Sequence, residues 1–140
     1  MALSNEERNE SRFVVPTRIK LLSGLNAKTV AKTDLYTVQS GTESEKFLPL
    51  YFVIRVEVFT VGSKSVQAVA SFGGNSSTYD DLINSQTFTV SAVDQYIIAD
   101  VPRNTALPMM TPGTEVKISI ETGSDATVET WGVDVFGYFQ

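Results

Sequence analysis

Glu115-Val116-Lys117-Ile118-Ser119-Ile120-Glu121 is the stretch on which the reading of the fold turns. Val116, Ile118 and Ile120 share one parity, and charged or hydroxyl residues take the other. A period of two puts the three apolar side chains on one face of a strand, whereas a helix would scatter them around its axis. Residues 50 to 61 repeat the pattern, with Leu50, Phe52, Ile54, Val56 and Val58 on one parity and Arg55 and Glu57 on the other. Tyr51, Val53 and Phe59 make that second face partly apolar as well. Residues 128 to 139 place Trp131, Val133 and Val135 opposite Thr130, Asp134, Phe136 and Tyr138.

Further strands are predicted at 18–22, 29–38, 65–72, 87–93, 95–101 and, briefly, 105–107. Turn signals separate them at Ser23-Gly24, Ser40-Gly41, Val61-Gly62-Ser63, Gly73-Gly74-Asn75, Pro112-Gly113 and Gly123-Ser124. Roughly eight or nine short strands at this spacing describe an all-β protein, a two-sheet antiparallel β-sandwich of jelly-roll type. One helical turn is predicted at 77–83, where Ser77 or Thr78 would cap and Asp80 and Asp81 would sit in the first turn. Residues 1 to 15 are mostly polar and read as an extended N-terminal arm, which leaves 16–140 as one β-sandwich domain. Pro16 favours an extended approach to the first strand.

Composition narrows the function. The chain has 140 residues, 42% hydrophobic and 19% charged, which is ordinary for one globular domain. It has no cysteine and no histidine, so disulfides, thiolate nucleophiles, Ser-His pairs and the commonest zinc ligands are excluded. A net charge of −5 disfavours bare nucleic acid, whose binding rests on phosphate neutralisation. The N-terminus lacks the basic start and apolar run of a secretory signal, and the apolar run 47–54 is too short for a membrane helix. The expectation is a soluble protein, without cofactor or metal, that acts as neither enzyme nor nucleic-acid or membrane binder.

The acidic residues offer no convergent pair. Asp80 and Asp81 lack the alternate spacing of a calcium loop and read as carboxylates at a helix start. Asp34, Glu57, Asp100 and Asp134 lie in or beside strands, where solvated faces or protected edges account for them. Trp131, Phe136, Tyr138 and Phe139 alternate on the last strand and read as core or subunit interface. Tyr51, Val53, Phe59, Phe136 and Tyr138 are therefore candidate interface residues. Tyr79 and Tyr96 are less constrained. Met109 and Met110 form an adaptable apolar loop that serves as a contact surface or as a plug for one end of the sandwich.

Several segments resemble one family. Asp34-Leu35-Tyr36-Thr37-Val38-Gln39-Ser40-Gly41, followed by the strand from Phe47 to Val56, is similar to the opening of small tailed-phage and prophage virion proteins. The segment Ser71-Phe72-Gly73-Gly74-Asn75-Ser76-Ser77-Thr78-Tyr79-Asp80-Asp81-Leu82-Ile83 resembles their glycine-asparagine loop. Thr111 to Val116 and Val133 to Phe139 resemble their ending, so the likeness runs from about residue 33 to 140. Gln39 stands where proline is usual, and Thr42-Glu43-Ser44-Glu45 lengthens the following loop.

The resemblance implies a β-sandwich carried on a phage virion and assembled in the host cytoplasm. A capsid cement or decoration protein is favoured, since the chain is one domain with an arm. Its expected partners are the major capsid protein and further copies of itself, as a trimer. Glu6, Glu7, Arg8, Glu10, Arg12, Phe13 and Val14 of the arm would make the capsid or subunit contacts. The alternatives are an adhesin or carbohydrate-binding module on a tail or fibre, marked by exposed Trp or Tyr lining a groove, and a carboxylate-based glycosidase.

Overall fold

The computed structural model describes residues 17–39, 46–63, 65–102 and 109–139. The arm and the segment 105–107 lie outside the described residues. Eight strands form: β1 (Thr17–Asn26), β2 (Ala31–Thr37), β3 (Phe47–Thr60), β4 (Ala68–Gly73), β5 (Ile83–Phe88), β6 (Tyr96–Asp100), β7 (Glu115–Thr122) and β8 (Val128–Phe139). They make two antiparallel four-stranded sheets. Sheet A has the order β1-β8-β3-β6, and sheet B has β2-β7-β4-β5.

The pairing is nested. β1 pairs with β8, β2 with β7, β3 with β6 and β4 with β5, as though one long hairpin closing at β4–β5 had been rolled up. Rolling then adds β3 to β8 and β4 to β7. This is the jelly roll, in which the outermost strands in sequence become neighbours in space. Its pairings are almost all distant along the chain, so loop-closure entropy must be overcome before they can form.

The core lies between the sheets. Phe52 of sheet A stacks on Phe72 of sheet B with centroids 4.3 Å apart, Phe72 meets Phe88 edge-on at 6.1 Å, and Phe88 meets Trp131 at 5.4 Å. Val116, Ile118 and Ile120 from the opening stretch are all buried here, as are Trp131, Val133 and Val135. Tyr36, Phe47 and Phe139 close one end through edge-on and tilted ring contacts. Each such aromatic pair adds roughly 0.5–1.5 kcal/mol beyond its area burial.

The structure departs from the sequence pattern where bulges intervene. Register shifts between Val56 and Val58, leaving Glu57 as the extra residue. Parity flips there, so Val58 is 47% exposed although it shares Val56's parity, and Phe59 packs against the core instead of facing outward. No helix forms at 77–83. Ser77 (φ 78°) and Tyr79 (φ 50°) are left-handed, a conformation that a right-handed turn cannot contain. The strand predicted at 87–93 is displaced to Ile83–Phe88, because Val93 and Asp94 turn the chain back toward β6 and Asp94 has φ 65°.

Candidate functional site

Three surfaces carry chemistry: the outer face of each sheet and a cleft at one end. On sheet A the outward row of β8 includes Asp134 and Phe136, flanked by Leu21 of β1, Tyr51 and Val53 of β3, and Tyr96 and Ile98 of β6. Leu21 is 51% exposed, Ile98 59% and Tyr96 68%. Tyr51 and Phe136 lie opposite one another and stack at 4.8 Å, which half-buries both.

One ionic network crosses this apolar face. Arg55 of β3 pairs through Nε and Nη2 with both oxygens of Asp134, at 3.1 and 3.2 Å. Its Nη2 also donates to the Leu22 carbonyl at 3.1 Å, and Nη1 donates to Glu57 at 3.3 Å. These bonds span from β3 over β8 to β1. They can do so because the residue between is Gly132, where an added Cβ would strike the Arg55 guanidinium. Glu57, the bulge residue, accepts from Ser23 Oγ at 2.6 Å and from the Gly24 amide at 2.8 Å. Those two bonds, with Arg55 alongside, hold its carboxyl below the ordinary carboxylate range. Burial alone would pull the Arg55 guanidinium down, but the hydrogen bond and charge of Asp134 outweigh it and raise it. Gly24 sits at φ 79° in the β1 irregularity that brings its amide to Glu57.

Sheet B faces outward with polar groups. Ser71, fully buried, donates its hydroxyl to Glu121 and accepts the Ser85 amide at 2.9 Å, while Ser85 Oγ donates to the other Glu121 oxygen at 2.6 Å. Ser85 reaches this position at φ 55°, beside the β4–β5 register shift. Toward the β2 edge, Lys117 pairs with Asp34 at 3.1 Å and lies 3.7 Å from Glu115. The hydrogen bond it donates to Asp34 raises the Lys117 ammonium above its ordinary value.

The cleft lies at the end where β4 leaves sheet B. It encloses about 360 Å³ between Gly74, Ser76 and Tyr79 on one side and Pro112, Gly113, Thr114 and Glu115 on the other. Lys117 Nζ sits 5.0 Å from the Tyr79 ring centroid. Asp80 and Asp81 are not helix-start carboxylates but braces of this loop. Asp81 Oδ1 accepts the Gly74 amide at 2.7 Å, and Asp80 Oδ1 accepts from Asn75 Nδ2 at 2.9 Å and Thr78 Oγ1 at 3.0 Å. These donors, Asn75 first and then Thr78, hold the Asp80 carboxyl below its ordinary value.

The sequence-derived candidates fall in different places. Tyr51, Val53, Phe136 and Tyr138 stand half-buried on sheet A, whereas Phe59 is turned to the core. Met110 is buried and bridges to Phe47 through backbone bonds in both directions, with its sulfur toward Gly74, so it plugs the end of the sandwich. Met109 is half-buried. The arm residues lie outside the described residues. Asp134 and Glu57 are tied to Arg55, and Asp34 to Lys117. Among the described residues no group of three or more His, Cys, Asp or Glu could hold a metal ion. The Arg55–Gly132 crossing was not legible beforehand, since only strand order shows that Gly132 separates Arg55 from β1. Comparison with family models, curated proteins and solved structures returned no match for this chain.

Proposed function

We propose that the protein is a virion structural protein of the capsid-cement type, which packs copies of itself through the outer face of sheet A and fixes them to a coat through its arm. The observation that carries this reading is the outer face of sheet A, where Leu21 on one edge strand and Tyr96 and Ile98 on the other are exposed and flank half-buried Tyr51, Val53 and Phe136. Such a face offers an interface aromatic and aliphatic groups around a satisfied charge pair. The resemblance of residues 33–140 to tailed-phage virion proteins supports the same placement. So does the jelly roll itself, a recurrent architecture of viral shells, though one shared with lectins.

A trimer is the assembly that suits a junction between capsomers. In it, face A meets neighbouring copies, and the arm, with Phe13, Val14 and the charged residues from Glu6 to Arg12, reaches the major capsid protein.

Sedimentation of the purified chain tests self-association, and the expected result is a trimer that Leu21→Ser combined with Ile98→Ser reduces to monomer. A chain that stays monomeric at high concentration overturns the role of face A. Deletion of residues 1–15 is expected to leave thermal unfolding unchanged and to reduce capsid occupancy sharply. Undiminished occupancy removes the arm as the anchor.

A further inference from the structure

The cleft beside Tyr79 is idle in the cement reading, yet it is built at a cost. A tyrosine and a serine in one short loop both adopt left-handed backbone, at φ 50° and 78°. Residues with a Cβ hold such angles only where their surroundings over-determine them, and they gather at ligand sites. Here the over-determination is visible. Asn75 Oδ1 accepts the Asp80 amide at 2.8 Å, Asn75 Nδ2 donates to Thr78 and Asp80, and the Tyr79 amide donates to the Asn75 carbonyl at 3.0 Å. Gly73 and Gly74 are pressed so closely against Asp81, Thr114 and Met110 that neither accepts a Cβ without displacement. The result of all this bracing is that Tyr79, half-buried and with Lys117 Nζ against its ring, lines an open cleft.

We propose that this cleft binds a neutral saccharide, with Tyr79 as the stacking platform and Ser76 and Glu115 as hydrogen-bonding partners for ring hydroxyls. Its volume of about 360 Å³ lies at the small end of ligand pockets and fits a mono- or disaccharide. Polar groups dominate the lining, with Tyr79 and Pro112 as its apolar members, so a lipid or an aliphatic chain finds little to bury against. Asp34 and Glu115 together outweigh the charge of Lys117, which sets the local field against anions. A sugar offers what remains: a flat C–H face for the ring and hydroxyls that both donate and accept. The Ser76 hydroxyl is exposed and has no hydrogen-bond partner among the described residues. Because the loop is already held in place, little conformational entropy is lost when a ligand enters.

This site stands independently of the cement reading, since it lies at the end of sheet B and away from the outer face of sheet A. The test is an amide NMR titration of the full chain with glucose, galactose, N-acetylglucosamine, rhamnose and lactose, alongside glucuronate and tetramethylammonium as charged probes. Saturable shifts at the Ser76, Tyr79 and Thr114 amides with at least one neutral sugar are expected. Affinity should fall about tenfold in Tyr79→Ala, stay near the parent value in Tyr79→Phe, and weaken in Glu115→Gln, which leaves the loop bracing intact. No saturable shift from any neutral sugar, binding of the charged probes alone, or full affinity in both Tyr79→Ala and Glu115→Gln would each overturn the proposal.

Discussion

The two sheets are built from the same alternation, yet their outer faces differ in kind. Sheet B turns serine, threonine and charged residues outward and closes them into local bonds, such as Ser71 and Ser85 on Glu121 or Lys117 on Asp34. Sheet A turns Leu21, Tyr51, Val53, Tyr96, Ile98 and Phe136 outward, with exposed Arg18 and Asp100 on its two edge strands, and ties Asp134 and Glu57 into one network around Arg55. A face finished with polar bonds needs only water, whereas a face finished with apolar groups around a shielded ion pair gains by acquiring a neighbour. The comparison also shows how a sheet can carry a charge network without a cleft. A glycine in the central strand lets side chains from one neighbour reach the other.

The largest expected effect breaks face A at its centre. Arg55→Ala leaves Asp134 buried without its cation and Glu57 without its flanking charge, and should cost about 3 kcal/mol in denaturant unfolding. A cost as small as that of an exposed surface pair would mean that water replaces the guanidinium and that face A is as wet as face B. Gly132→Ala should reproduce part of the loss, because the new methyl group displaces the same guanidinium.

On face B the matching test is Glu121→Ala, which removes an acceptor from two serines. Ser71 still accepts the Ser85 amide, so about 1 kcal/mol is expected. A loss as large as that of Arg55→Ala would erase the contrast between a central network and a local one.

Acid separates the faces by a third route. Glu57 is held below its ordinary value of 4.5, so the folded state binds fewer protons than the unfolded state as pH falls through that region. Its stabilising contribution is complete above the ordinary value and is lost as pH drops through the lowered folded value. Asp125 behaves alike, held well below its ordinary 3.8 by Ser63 and then Ser65 at the opposite end from the cleft. The protection of the Gly24 amide, which donates to Glu57, measured against its intrinsic exchange rate at each pH, should therefore fall on acidification before that of the β7 amides does. Simultaneous loss of protection would mean that Glu57 does not anchor β1.

The smallest effect on stability should come from the exposed row itself. Leu21→Ser or Ile98→Ser ought to change unfolding by no more than about 0.5 kcal/mol, because these side chains are already in water in the isolated chain. Their influence should appear in self-association alone.

What the sequence determined by itself was whatever local periodicity controls. Alternation along 115–121 and 128–139 settles that the chain is β and which residues of β7 and β8 face the core, because the pleat permits only two directions for a side chain. The turn residues at 23–24, 62–63, 73–75 and 112–113 mark where strands bend or stop. The contrast between an apolar outer β3 and a polar outer β7 was readable in the same way. Tertiary structure decided the rest. The Glu57 bulge reversed Val58 and Phe59, since register depends on the partner strand and not on the strand alone. Asn75, lodged in its own loop, replaced a predicted helical turn with a left-handed one, and that turn set Tyr79 against Pro112–Glu115. The Arg55 network depends on β1, β8 and β3 lying side by side although they are far apart in sequence. A pattern of period two says which way a residue faces, but only the completed roll says which strand it faces across.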